Sequence, residues 1–332
     1  MCTPALRALR QRFPDAALHV AGKPAACLLL ESIPWIGGLH PFPGRMGLPR
    51  MLRESRNLAP FARDICVIFP HAFRAAMLAW LSGSRCRVGY ARGGRSLLLN
   101  QRIPPYREQG RIAPIYMARE YLNLIAPLGC VDDDQGLELA ADAQELSAVR
   151  ANLDPNKPVV GIAPGAAFGP SKCWPATRYA QVADALTERY RAQCLLLTGP
   201  GEEDTRDAVL RTTQSAHFVP FQAEAPSIAR MKAAIACCDL FIGNDSGPRH
   251  VAIAFKKPVL CIMGSTSPRY TDSPWEQGEV LRVDVDCGPC QKPVCVTDHR
   301  CMTQITPDRV LAAAAPWLEP VTAPEPFNSA VS

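Results

Sequence analysis

The chain of 332 residues lacks several signals that mark common classes of protein. It has no run of about 18 consecutive apolar residues, so the sequence predicts no transmembrane helix. It contains neither the GxGxxG fingerprint of dinucleotide-binding folds nor the GxxxxGK[ST] sequence of P-loop proteins. These absences disfavour a dinucleotide-dependent oxidoreductase and a P-loop NTPase.

A secretion signal is missing as well. The first segment carries Arg7, Arg10 and Arg12, but no long apolar region follows them, as a signal peptide would require. Fourteen cysteines in a chain without such a signal favour reduced thiols over a disulfide scaffold. We therefore expect a cytoplasmic protein.

Acidic residues are scarce in the first part of the chain. Residues 1–131 contain 18 basic residues (Lys and Arg) and 6 acidic residues (Asp and Glu). Residues 132–332 contain 18 basic and 25 acidic residues. An arginine-rich half points to a polyanionic partner, which on charge alone can be a phosphorylated lipid, a membrane surface or nucleic acid. Ordinary arginine usage in a GC-rich genome explains the same count equally well.

What the sequence does contain is an alternation of strand and helix patterns, which is typical of a parallel α/β sheet. In the first half the pattern predicts helices at 4–13, 27–31, 51–61, 74–81 and 115–128, and strands at 17–20, 65–69 and 87–90. In the second half it predicts strands at 159–163, 194–198, 217–220, 240–242 and 259–263. We expect two domains, 1–150 and 151–318, followed by a flexible tail rich in Pro and Ala, 319–332.

The most informative stretch is Leu240–Pro268. It reads as a strand, the polar turn Asp245-Ser246-Gly247, a helix and a second strand. Free backbone amides at the start of such a helix form an anion pocket, for which a phosphate or pyrophosphate is the natural ligand. For an isolated Asp-Ser-Gly, the simpler interpretation is that Asp245 caps the helix and that His250 lies on the surface.

Several strand ends in the second half, two of them in this stretch, deliver glycine turns to the same edge of the sheet. These turns contain Gly165, Gly199, Gly243 and Gly264. Because ligands of open α/β sheets bind at the carboxyl ends of the strands, the convergence favours a ligand site more strongly than any single turn does.

Three separated segments, in order, resemble the motifs of glycosyltransferase family 9. The first is Pro164-Gly165-Ala166 followed by Lys172-x-Trp174-Pro175, and the second runs from Asp245-Ser246-Gly247-Pro248-x-His250 to Gly264-x-Thr266-x-Pro268. The third, Cys287-x-x-Cys290 with Cys295, Cys301 and Ile305-x-Pro307, resembles the heptosyltransferase II-like branch. The likeness covers nearly the whole chain.

This resemblance implies a GT-B fold, in which two Rossmann-like domains face each other across a cleft. It implies an inverting transfer of heptose from ADP-heptose, bound by the C-terminal domain, to the lipopolysaccharide inner core. The N-terminal domain would bind the phosphorylated lipid A–core acceptor, in peripheral contact with the cytosolic face of the inner membrane and without nucleic acid. Two alternatives stay open, a GT-B enzyme with another nucleotide-sugar donor and a non-catalytic sugar- or lipid-binding descendant.

The resemblance assigns the donor site to nine residues: Gly165, Lys172, Glu202, Ser227, Asp245, Ser246, Gly247, His250 and Thr266. Lys172 would neutralise the diphosphate leaving group, and it is a catalytic candidate together with Asp245. Gly165 and Gly247 would let backbone amides approach the phosphates, while Asp245, Ser246 and His250 would hold phosphate and sugar oxygens. Glu202 or Glu203 would bind a ribose hydroxyl, and Pro226-Ser227 would border the adenine.

The sequence departs from the family at its start. Family members begin with a strand and a Gly-Asp loop whose aspartate deprotonates the acceptor hydroxyl, and this segment would precede Met1. We expect either a protein about 20 residues longer, as a strand plus loop requires, or an inactive one. Loss of a general base typically costs about 10²–10⁴ in rate.

The cysteines near the end have two interpretations. Cys287, Cys290, Cys295, His299 and Cys301 are of the types and spacing that bind zinc. Reduced loop cysteines are equally compatible with the pattern, and the family needs no metal. We therefore predict neither a metal site nor any other cofactor.

Overall fold

The computed structural model describes residues 1–219 and 227–318 as two α/β units. The α-helices are α1 (Thr3–Arg12), α2 (Pro24–Leu30), α3 (Leu48–Leu58), α4 (Phe73–Leu81), α5 (Met117–Ile125), α6 (Ala143–Arg150), α7 (Ala176–Tyr190), α8 (Glu203–Thr212), α9 (Ile228–Cys237), α10 (Gly247–Ala254), α11 (Arg300–Thr303) and α12 (Pro307–Leu318). The strands are β1 (His19–Gly22), β2 (Gly38–Pro41), β3 (Ile65–Ile68), β4 (Cys86–Tyr90), β5 (Gln101–Ile103), β6 (Arg107–Glu108), β7 (Arg111–Ile112), β8 (Val159–Ala163), β9 (Gln193–Leu196), β10 (Leu240–Asn244), β11 (Val259–Ile262) and β12 (Gly278–Leu281).

The second unit is built on a five-stranded parallel sheet in the order β12-β11-β10-β8-β9. Every residue of β8, β9, β10 and β11 is buried, as expected for strands covered on both faces. Residues of α7 and α12 pack on one face, around Trp174, and residues of α9 and α10 pack on the other, around Phe241. This double layer fixes the strand ends that carry the candidate site.

The strand order changes direction between β8 and β10. The chain leaves β8 for β9 on one side and returns to β10 on the other side of β8. At such a switch point, the loops that follow the two central strands diverge and open a crevice. Residues 164–172 and 245–247 follow these two strands and therefore border the crevice.

The first unit has separate small sheets. β1 and β2 form one parallel pair, β3, β4 and β5 form a parallel sheet, and β6 and β7 form an antiparallel hairpin. β1 and β3 are partly exposed, in contrast to the buried strands of the second unit. Most buried apolar residues of this unit lie in helices. For example, α1 packs against α5 through Leu9 and Ile125.

The predicted alternation of strands and helices is confirmed, with differences at particular places. Residues 38–41 form β2, a strand that is not among those predicted from the sequence. The strand predicted at 217–220 is reduced to one bridge between Phe218 and Cys194, and Pro220 lies outside the described residues. The predicted helix 115–128 is shorter, because α5 ends at Ile125 and a 3₁₀ turn containing Pro127 follows.

The predicted domain boundaries stay predictions. Across the predicted boundary, α6 packs on α9, with Glu145 Oε2 2.9 Å from Arg230 Nε. The predicted tail, 319–332, lies outside the described residues.

The two units contact each other through polar side chains. The Tyr116 hydroxyl donates to Ser273 Oγ over 3.1 Å, and Glu108 pairs with Arg269. The buried Lys232 of α9 donates to the carbonyl of Glu31 at the end of α2, over 2.9 Å. Within residues 1–219 and 227–318, no helix is long and apolar enough to cross a membrane.

Candidate active site

A lysine and an aspartate meet at the crevice of the second unit. The 3₁₀ turn Pro170–Lys172 brings Lys172 over the end of β10, where Asp245 follows the strand. Lys172 Nζ donates to Asp245 Oδ2 over 2.7 Å and to the Asp245 carbonyl over 2.9 Å. An ammonium group has three N–H donors, so one of them is left for a ligand.

The Asp245 carboxylate is held from three directions. Besides Lys172, the Thr266 hydroxyl donates to Oδ2 over 2.7 Å, and Arg249 Nη1 donates to Oδ1 over 3.1 Å. Burial alone would raise the pKa of Asp245, since the side chain is only 2% exposed. The charges of Lys172 and Arg249 outweigh burial and lower that pKa to about 2. Asp245 is therefore a fixed anion that orients the cations around it.

Arg249 lies at the centre of this network and is fully buried. It extends from α10 one turn after Asp245, and its other side bonds Glu276 bidentately, with Nε–Oε1 at 2.8 Å and Nη2–Oε2 at 2.5 Å. A buried guanidinium needs such paired carboxylates to offset its desolvation. In the series Lys172–Asp245–Arg249–Glu276, each charge lies beside one of opposite sign, so the protein's own groups hold these side chains in place.

The interpretation of Asp245 as a simple helix cap is wrong. The N-cap residue of α10 is Ser246, and its side chain makes no capping hydrogen bond. The carboxylate of Asp245 instead serves the ion network just described. Local sequence preference favours Asp at a cap, but here the partly buried Lys172 and the buried Arg249 bind the two carboxylate oxygens.

Two polar atoms beside this network have no partner in the described part of the chain. They are Ser246 Oγ and His250 Nδ1, both buried. Burial and the neighbouring charge of Arg249 lower the pKa of His250 to about 3, so the imidazole is neutral at neutral pH. A Cβ placed on Gly247 would meet no atom within 4 Å, so space is open above the start of α10. The two orphaned groups and the open space fit a polar ligand that the structure does not contain.

Asn244 joins the two loops of the crevice. This buried residue accepts hydrogen bonds from the Trp174 amide at 3.1 Å and the Tyr179 hydroxyl at 2.9 Å. Its Nδ2 donates to the Pro164 carbonyl over 2.7 Å. The loop after β8 is therefore tied to the end of β10, which sets the position of Lys172.

Gly165 and Glu202 lie against each other at the edge of this site. A Cβ on Gly165 would stand 2.0 Å from the carboxyl carbon of Glu202, so any larger residue there would displace the Glu202 side chain. Glu202 in turn accepts a hydrogen bond from the Gly199 amide over 2.7 Å. The close approach at Gly165 is thus explained by Glu202, and the expected approach of a phosphate to Gly165 stays a prediction.

Ser227 has a different local role. Its hydroxyl caps α9 by accepting a hydrogen bond from the Arg230 amide over 3.0 Å. No hydrogen bond between described residues joins it to the Lys172–Asp245 network. Pro226, expected beside it at the adenine, lies outside the described residues.

Sequence reasoning brought Lys172, Asp245 and Thr266 together but missed Arg249, Glu276 and Asn244. The sequence could have indicated the Asp245–Arg249 pair. Arg249 lies four residues after Asp245, and residues at that spacing are neighbours on a helix. Glu276 lies beyond β11 and carried no local signal.

The cysteine loop lies beside the same site. Cys287, Cys290, Cys295, His299 and Cys301 help to line a cavity of about 80 Å³. The loop is tied to the site by Ser171, whose hydroxyl donates to the Lys292 carbonyl over 2.5 Å. Nowhere in residues 1–219 or 227–318 are three His, Cys, Asp or Glu side chains arranged to hold a metal ion.

The geometry suits binding of a polyanion. One N–H of Lys172 makes no hydrogen bond to a described residue, the start of α10 presents its positive end, and neutral His250 can exchange hydrogen bonds with phosphate or sugar oxygens. The cation is held by a carboxylate that keeps its charge at any ordinary pH. Such a preorganised site stabilises negative charge that builds up on a leaving group.

Comparison with known proteins points to one family. A sequence model of glycosyltransferase family 9 (heptosyltransferase) matches residues 51–300. Over 321 residues, the chain is 26% identical to lipopolysaccharide heptosyltransferase 2 of Escherichia coli (strain K12), which covers 92% of this chain and 90% of that protein.

Solved structures match over nearly the whole chain. E. coli ADP-heptose LPS heptosyltransferase II superposes with a TM-score of 0.75 at 23% identity, covering 96% of this chain and 94% of that one. A family 9 glycosyl transferase from Veillonella parvula DSM 2008 superposes with a TM-score of 0.83 at 21% identity. The match covers 95% of this chain and 92% of that one. The predicted GT-B arrangement of two Rossmann-like domains is confirmed.

Proposed function

The chain belongs to glycosyltransferase family 9, and from that membership we propose that it moves heptose from ADP-heptose to the lipopolysaccharide inner core. The observation that carries the proposal is the Lys172–Asp245 pair at the switch point of the second sheet, beside Ser246 Oγ and His250 Nδ1, which have no partner among the described residues. The similarity to lipopolysaccharide heptosyltransferase 2 of E. coli supports heptose as the sugar.

In this reaction a hydroxyl of the acceptor attacks the anomeric carbon of the donor, and its proton passes to a base or to solvent as the new carbon–oxygen bond forms. The bond from that carbon to the phosphate oxygen breaks, its electron pair leaves with ADP, and the configuration inverts. Lys172 meets the charge that grows on the leaving diphosphate, while Ser246 and His250 hold its oxygens or the sugar hydroxyls. Asp245 keeps Lys172 in place.

We expect ADP and ADP-heptose to raise the melting temperature of the protein, because ligands that bind only the folded state stabilise it. At a ligand concentration of 100 times Kd, the gain is about 2.7 kcal/mol. The measurement is a thermal shift series with ADP, UDP and their sugar conjugates, followed by detection of ADP release with a heptose-deficient acceptor. Stabilisation by UDP-sugars alone would contradict the choice of donor, and stabilisation by none of them would contradict the donor site.

We further propose that the arginine-rich unit touches the cytosolic face of the inner membrane. Exposed Arg50, Arg53 and Arg56 share α3 with exposed Leu48 and Leu52, a combination that suits an anionic lipid surface. We expect the protein to float with vesicles rich in phosphatidylglycerol and not with neutral ones. The triple change of these arginines to serine should abolish flotation, and unchanged flotation would contradict the assignment.

A further inference from the structure

The cysteine loop, residues 287–301, carries chemistry that the donor site does not use. It follows β12 and ends in the first turn of α11. Cys287, Cys290, Cys295 and Cys301 all line the cavity beside the donor site, and all four are free thiols. A thiol that solvent reaches reacts with other disulfides when it is in its thiolate form. Exposure and hydrogen bonding therefore decide which of the four thiols react.

Thr297 brings two of these thiols together. Its Oγ1 lies 3.4 Å from Cys295 Sγ and 3.9 Å from Cys287 Sγ. One hydroxyl group therefore touches both sulfurs, although the segment 288–294 separates them along the chain. Cys290 has the Cys-x-x-Cys spacing to Cys287, but its sulfur makes no such contact with Thr297.

The two thiols differ in how readily they react. Cys295 is partly exposed, and the Thr297 hydroxyl, together with the backbone amides of Thr297 and His299, lowers the pKa of its thiol because these groups stabilise the thiolate. Cys287 is exposed, so small solutes reach it. Cys301 is buried, and burial raises the pKa of its thiol. Cys295 is thus the better nucleophile, with Cys287 as its accessible neighbour.

The segment 288–294 holds one loop of the donor site. The Lys292 carbonyl accepts a hydrogen bond from Ser171 Oγ over 2.5 Å, and the Pro293 carbonyl accepts one from the Ser171 amide over 3.1 Å. Ser171 directly precedes Lys172 in the turn that places its ammonium group. A movement of these two carbonyls is therefore passed to Lys172.

The same segment also holds the second loop of the donor site. The Gln291 amide donates to the Ser265 carbonyl over 2.9 Å. Ser265 directly precedes Thr266, whose hydroxyl donates to Asp245 Oδ2. The chain between the two thiols is thus bonded to the immediate neighbours of Lys172 and Thr266.

A bond between the two sulfurs would constrain this segment at both of its ends. A disulfide holds its sulfurs about 2.05 Å apart and restricts the backbone on either side to a narrow range of separations. The free thiols of Cys287 and Cys295 impose no such restriction. Oxidation therefore changes the segment whose carbonyls accept from Ser171.

We propose that Cys287 and Cys295 are a modification site, which a low-molecular-weight disulfide oxidises to an internal disulfide that weakens the donor site through Ser171. The inference rests on the proposed function, because the donor site is what the modification regulates. Reduction of the Cys287–Cys295 bond restores the original contacts of Ser171.

The reaction proceeds by two thiol–disulfide exchanges. The Cys295 thiolate attacks one sulfur of the small disulfide RSSR, forming a mixed disulfide and releasing one thiolate RS⁻. Cys287 then loses its proton to solvent and attacks Cys295 Sγ, which releases the second RS⁻. The two protein thiols have given up two electrons and two protons, and one RSSR has become two RSH.

The first test maps the bond without any sugar substrate. Full-length protein is treated with oxidised glutathione, the remaining thiols are alkylated, and unreduced peptides are identified by mass spectrometry. We expect a Cys287–Cys295 crosslink that dithiothreitol removes. In Cys287→Ser, the reaction should stop at the glutathione adduct of Cys295, because no thiol is left to displace it.

Two results of this test would overturn the proposal. One is a wild type that forms no crosslink or joins Cys287 to Cys290 instead. The other is stoichiometric zinc in the purified protein, since thiolates bound to a metal are not free to exchange. A crosslink between Cys287 and Cys295 supports the modification site whether or not the protein transfers a sugar.

The second test measures ADP binding to the reduced and the oxidised protein by calorimetry. We expect oxidation to raise Kd for ADP about tenfold, the effect of losing one charge-assisted hydrogen bond, and dithiothreitol to reverse the change. Cys290→Ser is the matched control, because it removes a thiol from the same loop and should respond as the wild type does. Cys287→Ser should lose most of the response. An unchanged Kd in protein with a mapped Cys287–Cys295 bond would contradict the link to the donor site.

The two tests separate this inference from the proposed function. A reduced protein that binds no ADP would refute the donor site, while peptide mapping would still decide whether the disulfide forms. A reduced protein that binds ADP but forms no Cys287–Cys295 bond would refute this inference alone.

Discussion

Arg249→Met should destabilise the protein by about 3–5 kcal/mol, the usual cost of removing one partner from a buried ion pair. The guanidinium is fully buried between Asp245 and Glu276, whose side chains are themselves only 2% and 5% exposed. Methionine fills much of the space but leaves both carboxylates with fewer partners. The measurement is urea-induced unfolding, followed by circular dichroism at neutral pH.

The matched control is Arg211→Met, at an exposed position in the last turn of α8. A change of that kind should alter stability by less than about 0.5 kcal/mol. In a second variant, Glu276→Gln is added to Arg249→Met and should recover part of the loss, since one of the stranded charges is then removed. Equal stability of Arg249→Met and the control would refute the role of Arg249 as the centre of the network.

The same residue shows what the sequence could and could not predict. Motif resemblance identified Lys172, Asp245 and Thr266, and they do meet in space. Arg249, which stabilises Asp245, was not predicted. From the sequence alone an arginine in an apolar helix resembles a surface residue, and only the packing of α10 on the sheet shows that it is buried. Glu276 lies 27 residues beyond Arg249, and only the folded chain brings these two side chains together.

The fold was predictable to different degrees in the two units. In the second unit every strand of the central sheet except β12 is a compact apolar run, and a run such as Val159–Ala163 can be recognised from sequence because it is buried on both faces. In the first unit the strands are short and partly exposed. β2, Gly38–Pro41, contains glycine and proline, so its pattern resembles a turn and only pairing with β1 reveals it.

A group of charged side chains in the first unit also escaped sequence reasoning. His71, Arg92 and Glu120 are spread over 50 residues and match no motif. Only tertiary structure brings them together, because it places two strand ends and the first turn of α5 around one carboxylate.

Lys172→Met should lower kcat/KM for the donor about 10²–10³-fold, the usual range for loss of one preorganised group that stabilises transition-state charge. The protein should remain folded, because Asp245 keeps Arg249 and Thr266 as partners. Lys172→Arg should retain part of the activity, since it keeps the charge, although a planar guanidinium does not reproduce the two bonds to Asp245. The measurement is steady-state ADP release at varied donor concentration.

The control for this change is Lys157→Met, which breaks a surface ion pair with Asp154 and should leave kinetics unaltered. Binding of ADP separates the two possible roles of Lys172. If Lys172 acts mainly on the leaving group, kcat falls far more than ADP affinity does, because the charge that it meets is largest in the transition state. Wild-type kinetics in Lys172→Met would show that the Lys172–Asp245 pair only holds two loops together, and the donor site would then have to lie elsewhere along the crevice.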